Sequence, residues 1–368
     1  MQQREQDVYF LRRTFLLAKK AEGFTSPNPL VGAVIVKNGK IIGEGYHKRA
    51  GLPHAEIEAI SSAGKKNIKG SILYVNLEPC CHFGRTPPCV DEIIKKGIKK
   101  IVIATPDPNP LVNGKSLKKL KKSGLTVKVG LLNKEAESLN EIFFKNMSTK
   151  MPFVVVKVAE SLDGKIATKK GISKWITASK SRSFAKGLRD KYDCVLVGIN
   201  TVLKDDPGLC GLRKIPFRAV VDPQLRIPLD SRLMQENREK LIIFSSPKAK
   251  KRLKLIPSDI KVFFIKEKKG FLPLKKILKI LYRLGIMSVF VEGGSQTLGR
   301  FFDERLIDKI YFFISPKIIG GRAALSAVGG EGFWSPNFCA QIRNIEVKKL
   351  GEDILVSGYP YYGKKRFV

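Results

Sequence analysis

One histidine, one glutamate and two cysteines carry the strongest chemical signal in this sequence of 368 residues. His54-Ala55-Glu56 is followed by Pro79-Cys80-Cys81-His82-Phe83-Gly84-Arg85-Thr86-Pro87-Pro88-Cys89. The imidazole of His54 and the thiolates of Cys80 and Cys89 make three zinc ligands, and a catalytic zinc keeps its fourth position for water. Glu56 is not needed as a ligand; a carboxylate beside such a water takes its proton and later delivers it to a leaving amine. That is the apparatus of hydrolytic deamination. Zinc deaminases pair His-x-Glu with Pro-Cys-x-x-Cys, whereas here the second cysteine falls nine positions after Cys80. Gly84 and Pro87-Pro88 can close the longer loop. Cys81 points elsewhere if Cys80 ligates. A structural zinc would want a fourth ligand, from His82 or His47, and would leave Glu56 without a task. His/Cys₂ donors also suit other divalent ions.

These residues must be positioned by the elements around them. The apolar pattern predicts helices over 55–63 and 89–96, so His54 and Cys89 each open a helix, where free N–H groups and the dipole favour a thiolate. Strands over 30–36, 40–46, 72–77, 100–104 and 126–130 alternate with further helices over 116–123 and 135–146, behind an amphipathic N-terminal helix. Such alternation indicates an α/β layer structure. A polar stretch over 148–152, ending in Pro152, separates a domain over 1–150 from one over 151–368. The second half repeats the logic, with strands near 153–158, 194–197, 218–221, 240–244, 261–264, 288–291 and 309–314. Its helices fall over 181–191, 274–284 and 297–304, and the lysine-rich segment 245–255 belongs on the surface.

Lys and Arg number 68 against 33 Asp and Glu, a formal charge of +35. Residues 1–150 hold 26 basic and 13 acidic side chains and residues 151–368 hold 42 and 20, so the excess follows length. A solvated lysine-rich surface, or a field that draws in a small phosphorylated substrate, accounts for it. Nucleic-acid binding is the rival. With 43% hydrophobic residues the chain can bury real cores. No run approaches a membrane span or a signal peptide, and six scattered cysteines are too few for a disulfide framework. The expected location is the cytoplasm.

In the second half no G-x-G-x-x-G follows a strand, so a Rossmann site finds no support. Val291-Glu292-Gly293-Gly294-Ser295-Gln296-Thr297 instead lies between an apolar strand and a helix. Two glycines there let backbone approach a phosphate, with hydroxyls and a helix N-terminus as donors.

The runs HAEIEAI and LEPCCHFGRTPPC, with SPNPLVGAVIV upstream, resemble the deaminase half of the bifunctional riboflavin biosynthesis enzymes. Val156-Lys157-Val158-Ala159, Ser161-Leu162-Asp163-Gly164-Lys165, Ser173-Lys174-Trp175-Ile176-Thr177, the segment 198–207 and VEGG look like their reductase half. The two resemblances cover nearly the whole chain. They imply a cytidine-deaminase-like three-layer α/β/α domain followed by a dihydrofolate-reductase-like α/β domain, in a chain that self-associates. They also imply zinc-dependent deamination of 2,5-diamino-6-(5-phosphoribosylamino)pyrimidin-4-one, then NADPH-dependent reduction of the ribosyl chain to ribityl.

Asn28, His47, His82, Arg85 and Thr86 would line the pyrimidine and phosphate pocket. Read on its own, Pro27-Asn28-Pro29 is a turn presenting an amide donor and acceptor to the polar edge of a base. Trp175, Thr201, Asp205, Gly293, Gly294, Ser295, Gln296, Thr297, Leu298 and Gly299 would hold NADPH. Ser173, Arg189, Leu209, Arg213 and Glu292 would face the substrate, the guanidinium groups suiting its phosphate. Lys157 and Asp205 would open the ribose or deliver a proton. The segment 209–213 is one residue longer than the family's usual form. The rivals to this reading are a nucleic-acid base deaminase with a basic accessory domain and a zinc-stabilised binding protein.

Overall fold

The computed structural model describes residues 2–84 and 87–363. The chain divides into two compact units, Met1–Lys150 and Met151–Val368.

The first unit runs α1 (Gln2–Lys19), β1 (Gly32–Lys37), β2 (Lys40–Tyr46), α2 (Ala55–Ala63), β3 (Ile72–Leu77), α3 (Cys89–Lys95), β4 (Lys100–Thr105), α4 (Lys115–Lys122), β5 (Thr126–Val129), α5 (Asn133–Leu139) and α6 (Glu141–Thr149). Its sheet has the order β2-β1-β3-β4-β5, antiparallel at β1 and parallel from β3 to β5. Because side chains alternate along a strand, successive residues feed opposite layers. Ala33, Ile35, Leu73, Val75, Ile101 and Ile103 pack on α2, α3 and α4. Val34, Val36, Tyr74, Val102 and Ala104 pack on Phe10, Leu11 and Phe15 of α1 and on Ala136 of α5. The result is the expected three-layer α/β/α arrangement.

The approach of α2 to β2 is set by small residues. Ala55, Ala59 and Ala63 recur every four positions on one face of α2, and all are buried. A Cβ on Gly43 would lie 2.3 Å from the Ala59 carbonyl oxygen, and one on Gly45 would lie 2.4 Å from the Ala59 nitrogen. Only glycine lets the helix lie this close, which fixes where its first turn, and so His54 and Glu56, can sit.

The helix expected over 135–146 is two helices, α5 and α6, with Asn140 between them. Asn140 leaves the helical conformation because its amide is committed elsewhere: Oδ1 accepts from the Leu30 N–H at 2.7 Å and Nδ2 donates to the Leu30 carbonyl at 3.0 Å. Asn76, fully buried, also donates to the Leu30 carbonyl, at 2.8 Å. Two asparagines thus pin the end of the turn that carries Asn28.

The second unit runs β6 (Phe153–Ser161), β7 (Lys165–Ala167), α7 (Ser179–Leu188), β8 (Cys194–Gly198), α8 (Ile199–Asp205), β9 (Phe217–Val221), α9 (Arg232–Gln235), β10 (Leu241–Ser245), β11 (Lys261–Phe264), α10 (Leu274–Arg283), β12 (Ser288–Val291), α11 (Ser295–Asp303), β13 (Lys309–Ser315), β14 (Leu325–Ser326), β15 (Gln341–Leu350) and β16 (Asp353–Tyr361). Nine strands form one sheet in the order β11-β10-β9-β8-β12-β6-β13-β16-β15, parallel from β11 to β13. Val154, Val156 and Val158 of β6 face a core with Ile277, Leu281, Leu298 and Phe301 of α10 and α11.

Several elements differ from expectation. The helix over 181–191 ends at Leu188 and tightens into a 3-10 turn, Arg189–Lys191. The motif over 198–207 contains a helix, α8, that short polar residues hid. The closing hairpin β15–β16 was not expected, because β15 is an edge strand whose residues are nearly all exposed and so shows no apolar run. Within 245–255, Ser245 ends buried strand β10, and the lysines sit exposed on a 3-10 helix, Pro247–Leu255. Among the described residues no helix is long and apolar enough to cross a membrane.

Candidate active sites

His54 is the N-cap of α2 and Cys89 the first residue of α3, as expected. Cys80 follows β3 by three residues. The ligand atoms of His54, Cys80 and Cys89 all lie within 4.8 Å of one another, the single such group among the described residues. His54 Nδ1 is 3.2 Å from Cys89 Sγ and 3.5 Å from Cys80 Sγ. The Cys89 backbone N–H, free at the start of its helix, donates to Cys80 Sγ at 3.4 Å. Hydrogen bonding from the Cys89 thiol, with help from His54, pulls the Cys80 thiol down to about 4, while the Cys89 thiol beside that thiolate is pushed up. One nitrogen and two sulfurs converging at this range fit a zinc ion. Cys81 lies apart, its thiol directed to the Leu111 carbonyl at 3.7 Å.

Glu56, only 3% exposed, lines a pocket of about 290 Å³ together with Asn28, His47, His54, Cys80 and His82. Burial, reinforced by the nearby Cys80 sulfur, pushes its carboxyl up to about 7. His47 is buried, which lowers its imidazole below the ordinary value. His82 reaches the same pocket; Arg85 and Thr86 lie outside the described residues.

The sequence reasoning missed Glu78, Asp107 and Asn109, which also line this pocket. Glu78 Oε2 accepts from the backbone N–H groups of Asp107 at 3.3 Å and Gly114 at 3.1 Å. Burial pushes the Asp107 carboxyl up to about 7, with Glu78 and Cys80 adding to it. The signal was available: Asp107 and Asn109 sit in a proline-punctuated turn just after β4, neighbour of the strand that leads to Cys80, and open α/β sheets bind ligands outside the carboxyl ends of their strands.

In the second unit the register pairs Val291 of β12 with Val156 of β6, bringing Glu292 beside Lys157. Lys157 Nζ lies 3.7 Å from Glu292 Oε2, and Arg189 donates to Glu292 from Nε at 2.5 Å and from Nη2 at 3.1 Å. Burial alone would raise the Glu292 carboxyl, but the Arg189 and Lys157 cations outweigh it and hold it below the usual range. Arg189 Nη1 donates to the Cys210 carbonyl at 2.9 Å. The Arg189 guanidinium is thus engaged by Glu292 and the Cys210 carbonyl.

Arg213 lies with Asp190 at 3.7 Å, its side chain 55% exposed, and Asp190 also accepts from the backbone N–H groups of Leu212, Arg213 and Lys214. Leu209 is buried.

Gly198 and Gly293 close β8 and β12, adjacent strands, and a Cβ on either would fall within 2.7 Å of the Thr297 side chain. The first turns of α8, with Thr201, and of α11, with Ser295 and Gln296, start from this glycine cradle. Ser173 Oγ donates to Asp205 Oδ1 at 3.3 Å, and Trp175 is exposed under the Arg182 guanidinium, 4.3 Å from its ring. Gly294 is the N-cap of α11. Leu298 and Gly299 part from this group: Leu298 belongs to the core, and a Cβ on Gly299 would strike the Gly329 backbone at 2.1 Å. Thr297 fills the space beside Gly198 and Gly293, while Gly294, at the start of α11, is open and fits a phosphate of a nicotinamide dinucleotide.

Comparison with known proteins agrees with both halves. Residues 152–356 match the RibD C-terminal domain, and residues 4–105 match the cytidine and deoxycytidylate deaminase zinc-binding region. The riboflavin biosynthesis protein RibD of Aquifex aeolicus is 46% identical over 96% of this chain and 98% of its own. That of Bacillus amyloliquefaciens is 41% identical over 97% of each chain. The structure of a diaminohydroxyphosphoribosylaminopyrimidine deaminase/5-amino-6-(5-phosphoribosylamino)uracil reductase from Thermotoga maritima is 39% identical, covers 98% of this chain and 100% of that one, and superposes with a TM-score of 0.86. A nucleic-acid base deaminase has no place for the matched C-terminal half, and the net charge alone does not support one. The chain belongs to the RibD family of riboflavin biosynthesis proteins, a deaminase and a reductase on one polypeptide.

Proposed function

We propose that the first unit removes the 2-amino group of 2,5-diamino-6-(5-phosphoribosylamino)pyrimidin-4-one, using zinc, and that the second reduces the ribosyl chain to ribityl with NADPH. The observation that carries the reading is the convergence of His54, Cys80 and Cys89 within 4.8 Å beside a buried Glu56 in an open pocket. His54, Cys80 and Cys89 would hold the zinc, which when bound acidifies a water to a pKa near neutrality, about 7. Glu56 takes that proton and returns it to the departing amine. A carboxyl held near neutrality by burial both accepts and releases a proton at physiological pH.

In the second unit the cradle of Gly198, Gly293 and Thr297 receives the dinucleotide, and NADPH supplies hydride when bound. Lys157, held in place by Glu292, carries the proton that the sugar ring oxygen needs as the ring opens. Asp205, anchored to Ser173, orders the segment beside it. Self-association, implied by the family resemblance, is open to sedimentation velocity.

The test is metal analysis of the purified protein, with ammonia release and NADPH consumption followed on the diamino substrate. Stoichiometric zinc, ammonia first and NADPH oxidation only afterwards are expected. NADPH oxidation with no ammonia, or protein without metal that still deaminates, overturns the reading.

A further inference from the structure

Both ring nitrogens of His47 are engaged inside the protein. Nδ1 lies 3.1 Å from the Pro53 carbonyl oxygen, and Nε2 lies 3.0 Å from Asn28 Nδ2. A carbonyl can only accept, so the hydrogen of a neutral His47 sits on Nδ1. Nε2 is then an acceptor, and only the NH₂ end of the Asn28 amide can face it. The amide is therefore polarised: Nδ2 is turned to His47, and Oδ1, for which the described residues supply no donor, is left to the pocket that Asn28 lines. The turn carrying Asn28 is itself clamped, two residues on, by Asn76 and Asn140 at Leu30.

We infer that His47 is a positioning residue that acts through Asn28, fixing the amide so that its oxygen accepts an N–H of the pyrimidine. An amide free to rotate presents donor or acceptor alike and so cannot tell an N–H edge from a carbonyl edge. One held by the chain Pro53 C=O···H–Nδ1 His47 Nε2···H–Nδ2 Asn28 selects the N–H edge. The buried imidazole has no ring nitrogen left for the substrate, so the chain resolves two neighbouring pocket residues into one contact and its support. This rests on the pyrimidine deaminase reading of the first unit.

The chain holds three histidines, so each is resolvable in a long-range ¹H–¹⁵N spectrum of the zinc-loaded protein. His47 is expected as the Nδ1–H tautomer with Nε2 bare at neutral pH. The Nε2–H tautomer overturns the inference, and this readout is independent of turnover. On the diamino substrate, His47→Phe is expected to raise KM about tenfold, the loss of one oriented hydrogen bond, with zinc retained and kcat changed less. His47→Gln, whose amide can donate to Pro53 and accept from Asn28, should restore most of it. In an Asn28→Ala background His47→Phe should add less than about twofold, since a support has nothing left to hold. Additive losses would mean that His47 meets the substrate itself. A wild-type protein that releases no ammonia from the diamino compound but shows the Nδ1–H tautomer counts against the functional reading and not against the chain.

Discussion

In the first unit the reactive groups come from two short segments, 54–56 and 80–89; His54 and Cys89 sit at helix starts, and close glycine contacts fix the helix that His54 opens. In the second, Lys157 and Glu292 meet because β6 and β12 pair in one register, and Arg189 joins them from the turn after α7. The candidate metal site gathers one nitrogen and two sulfurs at one point, in contact with one another and with Glu56. In the second unit one carboxylate, Glu292, holds two cations, so the cluster keeps a net positive charge. A cation-binding centre needs electron-pair donors converging on one point, whereas a site that handles sugar and dinucleotide needs charges held still.

The contrast is broken most strongly at Glu56. Glu56→Gln should cut deamination by roughly 10²–10⁴-fold, the range for a lost general acid–base group, while zinc content and NADPH oxidation on the deaminated intermediate stay as they were. A residual deaminase rate near wild type would remove the carboxylate from the chemistry. Next comes Glu292→Ala, which strips two poorly exposed cations of their partner. It is expected to lower the stability of the second unit by about 3–5 kcal/mol and to stop NADPH oxidation, with ammonia release intact.

Two buried carboxyls, one in each unit, answer to pH in opposite senses. Glu160 on β6 is 9% exposed, and burial pushes its carboxyl up to about 7. A carboxyl raised in the folded state binds more protons there than when unfolded, so the second unit loses stability as pH rises between about 4.5 and 7. Glu160→Gln should flatten that slope and stabilise the unit at alkaline pH by on the order of 2–3 kcal/mol in thermal melts.

Asp7 on α1 behaves the other way. Burial would raise it, but hydrogen bonds from Lys128, Tyr74 and Gln3 and the field of Lys100 win, so its carboxyl lies below the ordinary 3.8. Its contribution is complete above that value and is lost as pH falls through the lower, folded pKa. Asp7→Asn is expected to cost the first unit about 1–2 kcal/mol at neutral pH, the difference closing in acid. Equal melts at neutral pH would show that the Lys128 contact at 2.9 Å contributes nothing.

The metal ligands and Glu56 were legible because soft donors, a nearby acid and helix-opening positions are properties of residue type and spacing. The alternating strands were legible for the same local reason, and the family resemblance supplied the reductase elements. Asp107 and Asn109 escaped because their relevance depends on β4 lying next to β3, a pairing of distant segments. The contact of Arg189 with Glu292, more than a hundred residues away, was not legible for the same reason.

The sequence by itself determined the layer architecture, the family and the candidate cluster of His54, Cys80 and Cys89, since each is written in residues close along the chain. Only the tertiary structure decided which charges neutralise one another, which way the Asn28 amide faces and where one long helix must break at Asn140. Those outcomes turn on hydrogen bonds between remote segments, where a carbonyl or a carboxylate a few ångströms away overrides what a residue would do alone.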